Sequence, residues 1–91
     1  MKVAWTLRAK DDLERLHGFL ARVNGPAADR AAQSLIGAPA RLIETPQIGQ
    51  RLEEFLPRDV RRFLVGPYEM RYEVTHDGIV VLRLWHARED R

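Results

Sequence analysis

The chain has 91 residues, a hydrophobic share of 45% and a formal net charge of +2, which reads as one domain over residues 1–91 with room for a single modest core. That composition excludes disorder as the default, and no apolar run approaches the roughly 18 residues a membrane helix needs. The start, Met1-Lys2-Val3-Ala4-Trp5-Thr6-Leu7-Arg8, carries no signal-like apolar segment, and the chain has no cysteine for disulfides or thiolate metal sites; the expectation is a cytoplasmic protein with no cofactor, no metal and no membrane contact.

In chain order, Val3, Trp5 and Leu7 alternate as in a short half-buried strand. From Arg8 the period changes. Leu13, Leu16, Leu20 and Val23 then form one stripe of an amphipathic helix, with Thr6 as its N-cap and Asp11, Asp12 and Glu14 placed to complement its dipole. Asn24-Gly25-Pro26 stops this helix and starts a second, with Gly25 suited to a left-handed helix end and Pro26 to a first turn. The second helix is predicted from Pro26 to Glu44, with Ala28, Ala31, Leu35, Leu42 and Ile43 as its apolar set. Its alanines allow close approach in a helical hairpin, and Pro39 predicts a kink or break near Gly37 to Pro39. Thr45 to Gln50 reads as a loop, and Arg51 to Leu56 as a short edge segment or irregular chain.

A three-stranded antiparallel meander follows Pro57-Arg58-Asp59, giving an α+β fold of order β-α-α-β-β-β with the helical hairpin on one sheet face. Tyr68, Met70, Tyr72 and Val74 alternate with Glu69, Arg71 and Glu73. A three-residue loop, His76-Asp77-Gly78 with a left-handed Gly78, is expected to pair Tyr72 with Leu82 and Arg71 with Arg83. This register keeps Val80, Leu82 and Leu84 with the apolar face. The other face then carries Arg71 opposite Arg83, Glu69 and Glu73 in diagonal reach, and Trp85 at one end. That surface suits either a solvated salt-bridged sheet or a recognition surface with Arg as anchor and Trp as apolar contact.

Thirteen of the fifteen basic residues are Arg. The guanidinium fork suits bidentate contacts to carboxylate or phosphate, although a GC-rich codon preference accounts for the bias equally well. Residues 51–91 hold eight Arg and eight Asp or Glu, so the sheet half is neutral overall, unlike a groove built to hold nucleic acid by its phosphates. His17 reads as a boundary residue and His76 as a solvent-facing loop residue. His86 alone is placed to act as an acid or base. Ser34 lies in a helix without a nucleophile elbow, and no Gly-rich phosphate loop or metal-ligand spacing appears.

The element order resembles the RelE/ParE superfamily of type II toxins, together with Trp5-Thr6, Ala9, Asp12-Leu13, Leu42, Pro46, Gly49, Val60 to Gly66, Tyr68 to Val74, and Val81-Leu82-Arg83-Leu84-Trp85-His86 with Arg88-Glu89-Asp90. The resemblance implies a small cytoplasmic toxin, encoded beside an antitoxin that wraps and neutralises it, with higher-order toxin–antitoxin assembly a further expectation. One branch, RelE-like, cuts mRNA in the ribosome. On that alternative Arg71 and Arg83 would stabilise phosphate and His86 would move a proton. That branch favours an Arg where this chain has Glu69, and lysines where it has Glu53 and Glu54. A carboxylate beside a cleavage phosphate opposes the developing charge. The other branch, ParE-like, is non-catalytic and poisons DNA gyrase by binding it, and the C-terminal block points to that side. The resemblance therefore implies a ParD-like antitoxin as partner and gyrase as target, with no direct specific nucleic-acid binding. Arg71, Arg83, Trp85, His86 and Arg88 are the candidate target-binding residues.

Overall fold

The computed structural model describes residues 2–89, in the order β1 (Lys2–Trp5), α1 (Leu7–Ala21), α2 (Gly25–Glu44), β2 (Gln50–Arg51), a 3₁₀ turn (Glu53–Phe55), β3 (Asp59–Val65), β4 (Tyr68–Thr75) and β5 (Gly78–His86). The strands form one sheet in the order β1-β5-β4-β3-β2. The three-stranded meander is antiparallel, as expected, and β1 adds to it by pairing parallel with β5. Gly78 makes that pairing possible: its φ is +146°, and a Cβ there would lie 2.0 Å from the Lys2 carbonyl oxygen. No helix among the described residues is long and apolar enough to cross a membrane.

Both helices cover one sheet face. Ala9 and Leu16 of α1, with Leu35, Ala38 and Leu42 of α2, pack on Tyr68, Met70, Tyr72, Ile79, Val81 and Leu84. The Thr6 hydroxyl accepts from the Ala9 N–H at 3.0 Å, which makes it the expected N-cap. Asn24 caps α2 in the same way, accepting from the Ala27 N–H. Gly25 is the first residue of α2 and lies outside the left-handed region, contrary to the sequence reading: α1 is already closed before it by the Val23 and Asn24 N–H groups, which donate to the Leu20 carbonyl.

Three further expectations are corrected. The buried stripe of α1 runs through Ala9, Asp12 and Leu16, whereas Val23 lies beyond the helix and is 83% exposed. Hydrophobicity marks the stripe's flank, and the residues that dock closest are the small Ala9 and the polar Asp12. The expected break at Pro39 does not occur, and α2 runs unbroken from Gly25 to Glu44. Pro39 forfeits one ladder hydrogen bond, yet it is fully buried beside Ala38, and Leu35 and Leu42 pin the turns on either side.

The third correction concerns the last hairpin. Thr75 pairs with Gly78, so the loop is the two-residue His76-Asp77 turn, and Tyr72 lies opposite Val81 instead of Leu82. A bulge between Arg71 and Tyr72 then absorbs Leu82 and restores Arg71 to Arg83, the pairing the sequence predicts. Ile79 and Val81 therefore join the core in place of Val80 and Leu82.

Under the core, the fully buried Tyr72 hydroxyl donates to the Pro46 carbonyl at 2.8 Å and accepts from the Gly49 N–H at 2.9 Å. A Cβ at Gly49 would come within 2.6 Å of that hydroxyl oxygen. Burial pushes the Tyr72 pKa up, against the opposing pull of the Gly49 hydrogen bond and the Arg61 charge. Arg61 fastens the same loop through the Gln47 and Gly49 carbonyls.

Candidate target-binding surface

The tight turn at Gly66-Pro67 sets Val65 opposite Tyr68 and so places Arg62 opposite Arg71, which in turn faces Arg83. Three guanidinium-bearing residues thus form one row across β3, β4 and β5, on the face away from the helices. Like charges directly opposed in a sheet cost a few tenths of a kcal/mol each unless something offsets them, and each arginine is accommodated differently.

Arg62 pairs with Glu69, Nη2 to Oε1 at 3.2 Å, and Glu69 is itself buried. Arg83 pairs with Asp12, Nε to Oδ2 at 2.7 Å and Nη2 to Oδ1 at 3.2 Å. Arg71, in the middle, has no ion pair among the described residues. Its guanidinium is stacked between the Phe55 ring at 5.3 Å and the Trp85 ring at 4.7 Å, and its Nε is buried without a hydrogen-bond partner. Trp85 also carries Arg83 at 4.9 Å. Cation–π contacts of this kind contribute about 0.5–1 kcal/mol each where exposed, and more where desolvated. Trp85 is 8% exposed, so it serves as a platform that orients two guanidiniums more than as an apolar contact of its own.

Asp12 holds this arrangement to the helical layer. β1 pairs with β5 only as far as Val81, and beyond that point side chains satisfy the strand's open edge. The Thr6 hydroxyl donates to the Leu82 carbonyl at 2.9 Å, the Leu84 N–H donates to Asp12 Oδ2 at 2.9 Å, Arg15 Nη2 donates to the Leu84 carbonyl at 3.3 Å, and the His86 N–H donates to Glu89 Oε1 at 2.8 Å. Arg15 also bonds Asp12 and ion-pairs with Glu89. Asp12 is 5% exposed. Burial by itself raises its pKa, but the hydrogen bonds from Arg83, the Leu84 N–H and Arg15, with the Arg83 charge, outweigh burial and hold the carboxyl below the usual range. The same pairing raises the Arg83 pKa.

The five candidate target-binding residues therefore divide. Arg71, Arg83 and Trp85 share the outer face. His86 pairs with Tyr68 on the helix-facing side, ring centroids 5.3 Å apart and edge-on, and its Nδ1 accepts from the Arg88 N–H at 3.1 Å. Arg88 stands with His86 at a groove against α1. Asp90, part of the sequence block singled out above, lies outside the described residues. Among the described residues no group of three His, Asp or Glu side chains is placed to hold a metal.

Sequence reasoning missed Arg62, Asp12, Phe55 and Glu89. Arg62 was recoverable from the Gly66-Pro67 turn, which sets the β3–β4 register. Asp12 was recoverable from its position three residues after Ala9 and four before Leu16, on the buried stripe. Phe55 lies in a single 3₁₀ turn and Glu89 beyond the last strand, where no periodicity exists to place them.

The family model for the ParE toxin of type II toxin-antitoxin systems, parDE, matches residues 3–91. Toxin RelE2 of Caulobacter vibrioides is 37% identical over 87 residues, covering 94% of this chain and 94% of that protein. The chain belongs to the ParE toxin family. Toxin RelE3 of the same organism is similar to this ParE-family chain at 29% identity over 84 residues, 92% of the chain and 91% of the relative. A solved structure described as the chromosomal ParDE TA system from P. aeruginosa superposes with a TM-score of 0.77 over 94% of this chain and 95% of its own, at 24% identity, and shows the shared fold. As a ParE-family protein the chain is the toxin of a type II toxin–antitoxin system, a membership that implies a cognate antitoxin.

Proposed function

We propose that this ParE-family toxin is a cytoplasmic, non-catalytic inhibitor of DNA gyrase that a cognate ParD-like antitoxin neutralises. The observation that carries the reading is the arginine row with Arg71 at its centre. The flanking Arg62 and Arg83 are neutralised by Glu69 and Asp12, while Arg71 is locked between two rings and has no carboxylate partner among the described residues. A preoriented guanidinium framed by aromatic surface is the kind of anchor that dominates protein–protein contacts. Arg71 is the central anchor, with Trp85 and Arg83 holding it in place and Arg62 extending the surface. His86 and Arg88 stand on the other side of β5.

The same geometry disfavours phosphodiester cleavage by this chain. General acid–base catalysis needs the proton-transfer group within hydrogen-bond reach of the atoms it serves. His86, the sole candidate from the sequence, sits on the face opposite Arg71 and Arg83. The alternative, a ribosome-dependent mRNA endoribonuclease using Arg71, Arg83 and His86, draws support from the RelE names of the two Caulobacter relatives. A ribosome-bound mRNA cleavage assay separates the two readings. The expected result is no toxin-dependent cutting, and cutting that His86→Ala abolishes would overturn the proposal in favour of the enzyme.

A further inference from the structure

Glu69 and Glu73 stand two residues to either side of Arg71 on the same side of β4, and each already has an arginine. Arg58 takes Glu73 with two donors, Nε to Oε2 at 3.2 Å and Nη2 to Oε1 at 2.8 Å. Arg62 takes Glu69, and Arg83 takes Asp12. Arg71 alone in this set has no carboxylate partner among the described residues. The Nε atoms of Arg62 and Arg71, neighbours across β3 and β4, are both buried without an acceptor. A buried donor left unmatched is destabilising, and a guanidinium without a counter-charge more so. Four arginines against three carboxylates leave this face one anion short.

The surroundings of Arg71 select that anion. The Phe55 and Trp85 rings flank the guanidinium and leave its edge for a ligand, the approach a planar carboxylate makes when it takes two N–H groups at once. One carboxylate closes the charge deficit. A nucleic acid instead brings phosphates in a continuous row, one charge per roughly 1.7 Å of duplex axis, against carboxylates that are already paired. Leu64, opposite Glu69 and 59% exposed, adds apolar surface one row from the arginines, which a protein segment uses and a phosphate backbone does not. We propose that Arg71 takes an Asp or Glu side chain of the target protein, with an apolar neighbour of that residue resting on Leu64. The proposal rests on the reading of the chain as a gyrase inhibitor, and it makes the enzyme's protein surface, not its bound DNA, the part that is gripped.

The test is calorimetric binding of the purified full chain to purified gyrase, with and without bound DNA, and thermal melting as the folding control. Arg71→Ala is expected to weaken binding at least about tenfold in both conditions. Leu64→Thr, which keeps a β-branched residue in the strand, is expected to weaken it roughly fivefold. Arg71→Lys supplies an amine that a zero-length carbodiimide joins only to a carboxylate in contact with it. Mass spectrometry of the coupled complex should then show a link from position 71 to an Asp or Glu of gyrase, absent with the wild-type chain. An Arg71→Ala effect that is missing, or confined to the DNA-bound enzyme, would overturn the proposal, as would an Arg71→Lys complex that forms without the link. Where Arg71→Lys does not bind, the comparison with and without DNA decides alone. Wild-type affinity of Leu64→Thr would overturn the placement of the apolar neighbour. Failure of the wild type to bind gyrase in either condition would instead overturn the gyrase-inhibitor reading.

Discussion

The two faces of this sheet are built from the same three strands and held by different physics. Toward the helices, Met70, Tyr72, Ile79, Val81 and Leu84 are buried against Leu35 and Leu42, and their contribution grows with the apolar area removed from water. Away from the helices, Arg62, Arg71 and Arg83 stand in a row whose cohesion depends on Glu69, Asp12 and two aromatic rings. The first face tolerates substitutions that conserve volume. The second does not tolerate loss of a partner, because a guanidinium left among neighbours of like charge has nothing to offset it. The apolar layer supplies the rigidity, and the charged layer it supports holds one arginine in a fixed orientation between two rings.

Asp12 joins the two faces, and its removal is the largest expected break. Asp12→Ala takes an acceptor from Arg83, Arg15 and the Leu84 N–H at once, and Arg15 keeps Glu89 and the Leu84 carbonyl. The expected cost is about 3 kcal/mol, or roughly 10–20 °C of melting temperature, measured by circular dichroism. Removing the Tyr72 hydroxyl acts on the inner side alone. Tyr72→Phe leaves the Pro46 carbonyl and Gly49 N–H unmatched, with an expected loss of about 1–3 kcal/mol in urea unfolding and the arginine row unaffected.

The pH dependence sharpens the contrast, since each face has its own titrating residue. The folded pKa of Asp12 lies below its unfolded value, so the stability it contributes is complete above the unfolded value near about 4 and is lost as pH falls through the folded one. Urea midpoints between neutral and acid pH should fall for the wild type, and Asp12→Asn should flatten that limb. The folded pKa of Tyr72 lies above its unfolded value. Its contribution is complete below about 10 and is lost as pH rises past that point, a limb that Tyr72→Phe removes. The smallest effect belongs to Glu89→Gln, which weakens the partly exposed pair with Arg15; at most about 1 kcal/mol is expected, shrinking as salt is raised.

Much of the inner face was legible in the sequence, because burial imposes periodicity: the alternation from Tyr68 to Val74 and the Thr6 cap both follow from spacing. The bulge at Leu82 was not legible. A two-residue turn and a three-residue turn lead to the same pairing at Arg71, and only the backbone reveals which one is compensated downstream. The place of Asp12 on the buried stripe was recoverable, but its role was not, for a related reason. A carboxylate near a helix start is explained well enough by the helix dipole, and its burial depends on the open edge of β5, 72 residues away along the chain. The division of Arg71, Arg83 and Trp85 from His86 follows from strict alternation at the end of β5, whereas the pairing of Arg71 with Phe55 depends on a 3₁₀ turn that no pattern announces.

The central claim is that the outer face grips gyrase through Arg71. The most direct test titrates purified toxin into a gyrase supercoiling reaction beside Arg71→Ala, with equal folding of the two confirmed by thermal melting. The wild type is expected to block supercoiling, and Arg71→Ala to need at least roughly ten times as much toxin for half inhibition. Full supercoiling at excess wild-type toxin, or equal potency of Arg71→Ala, would contradict it.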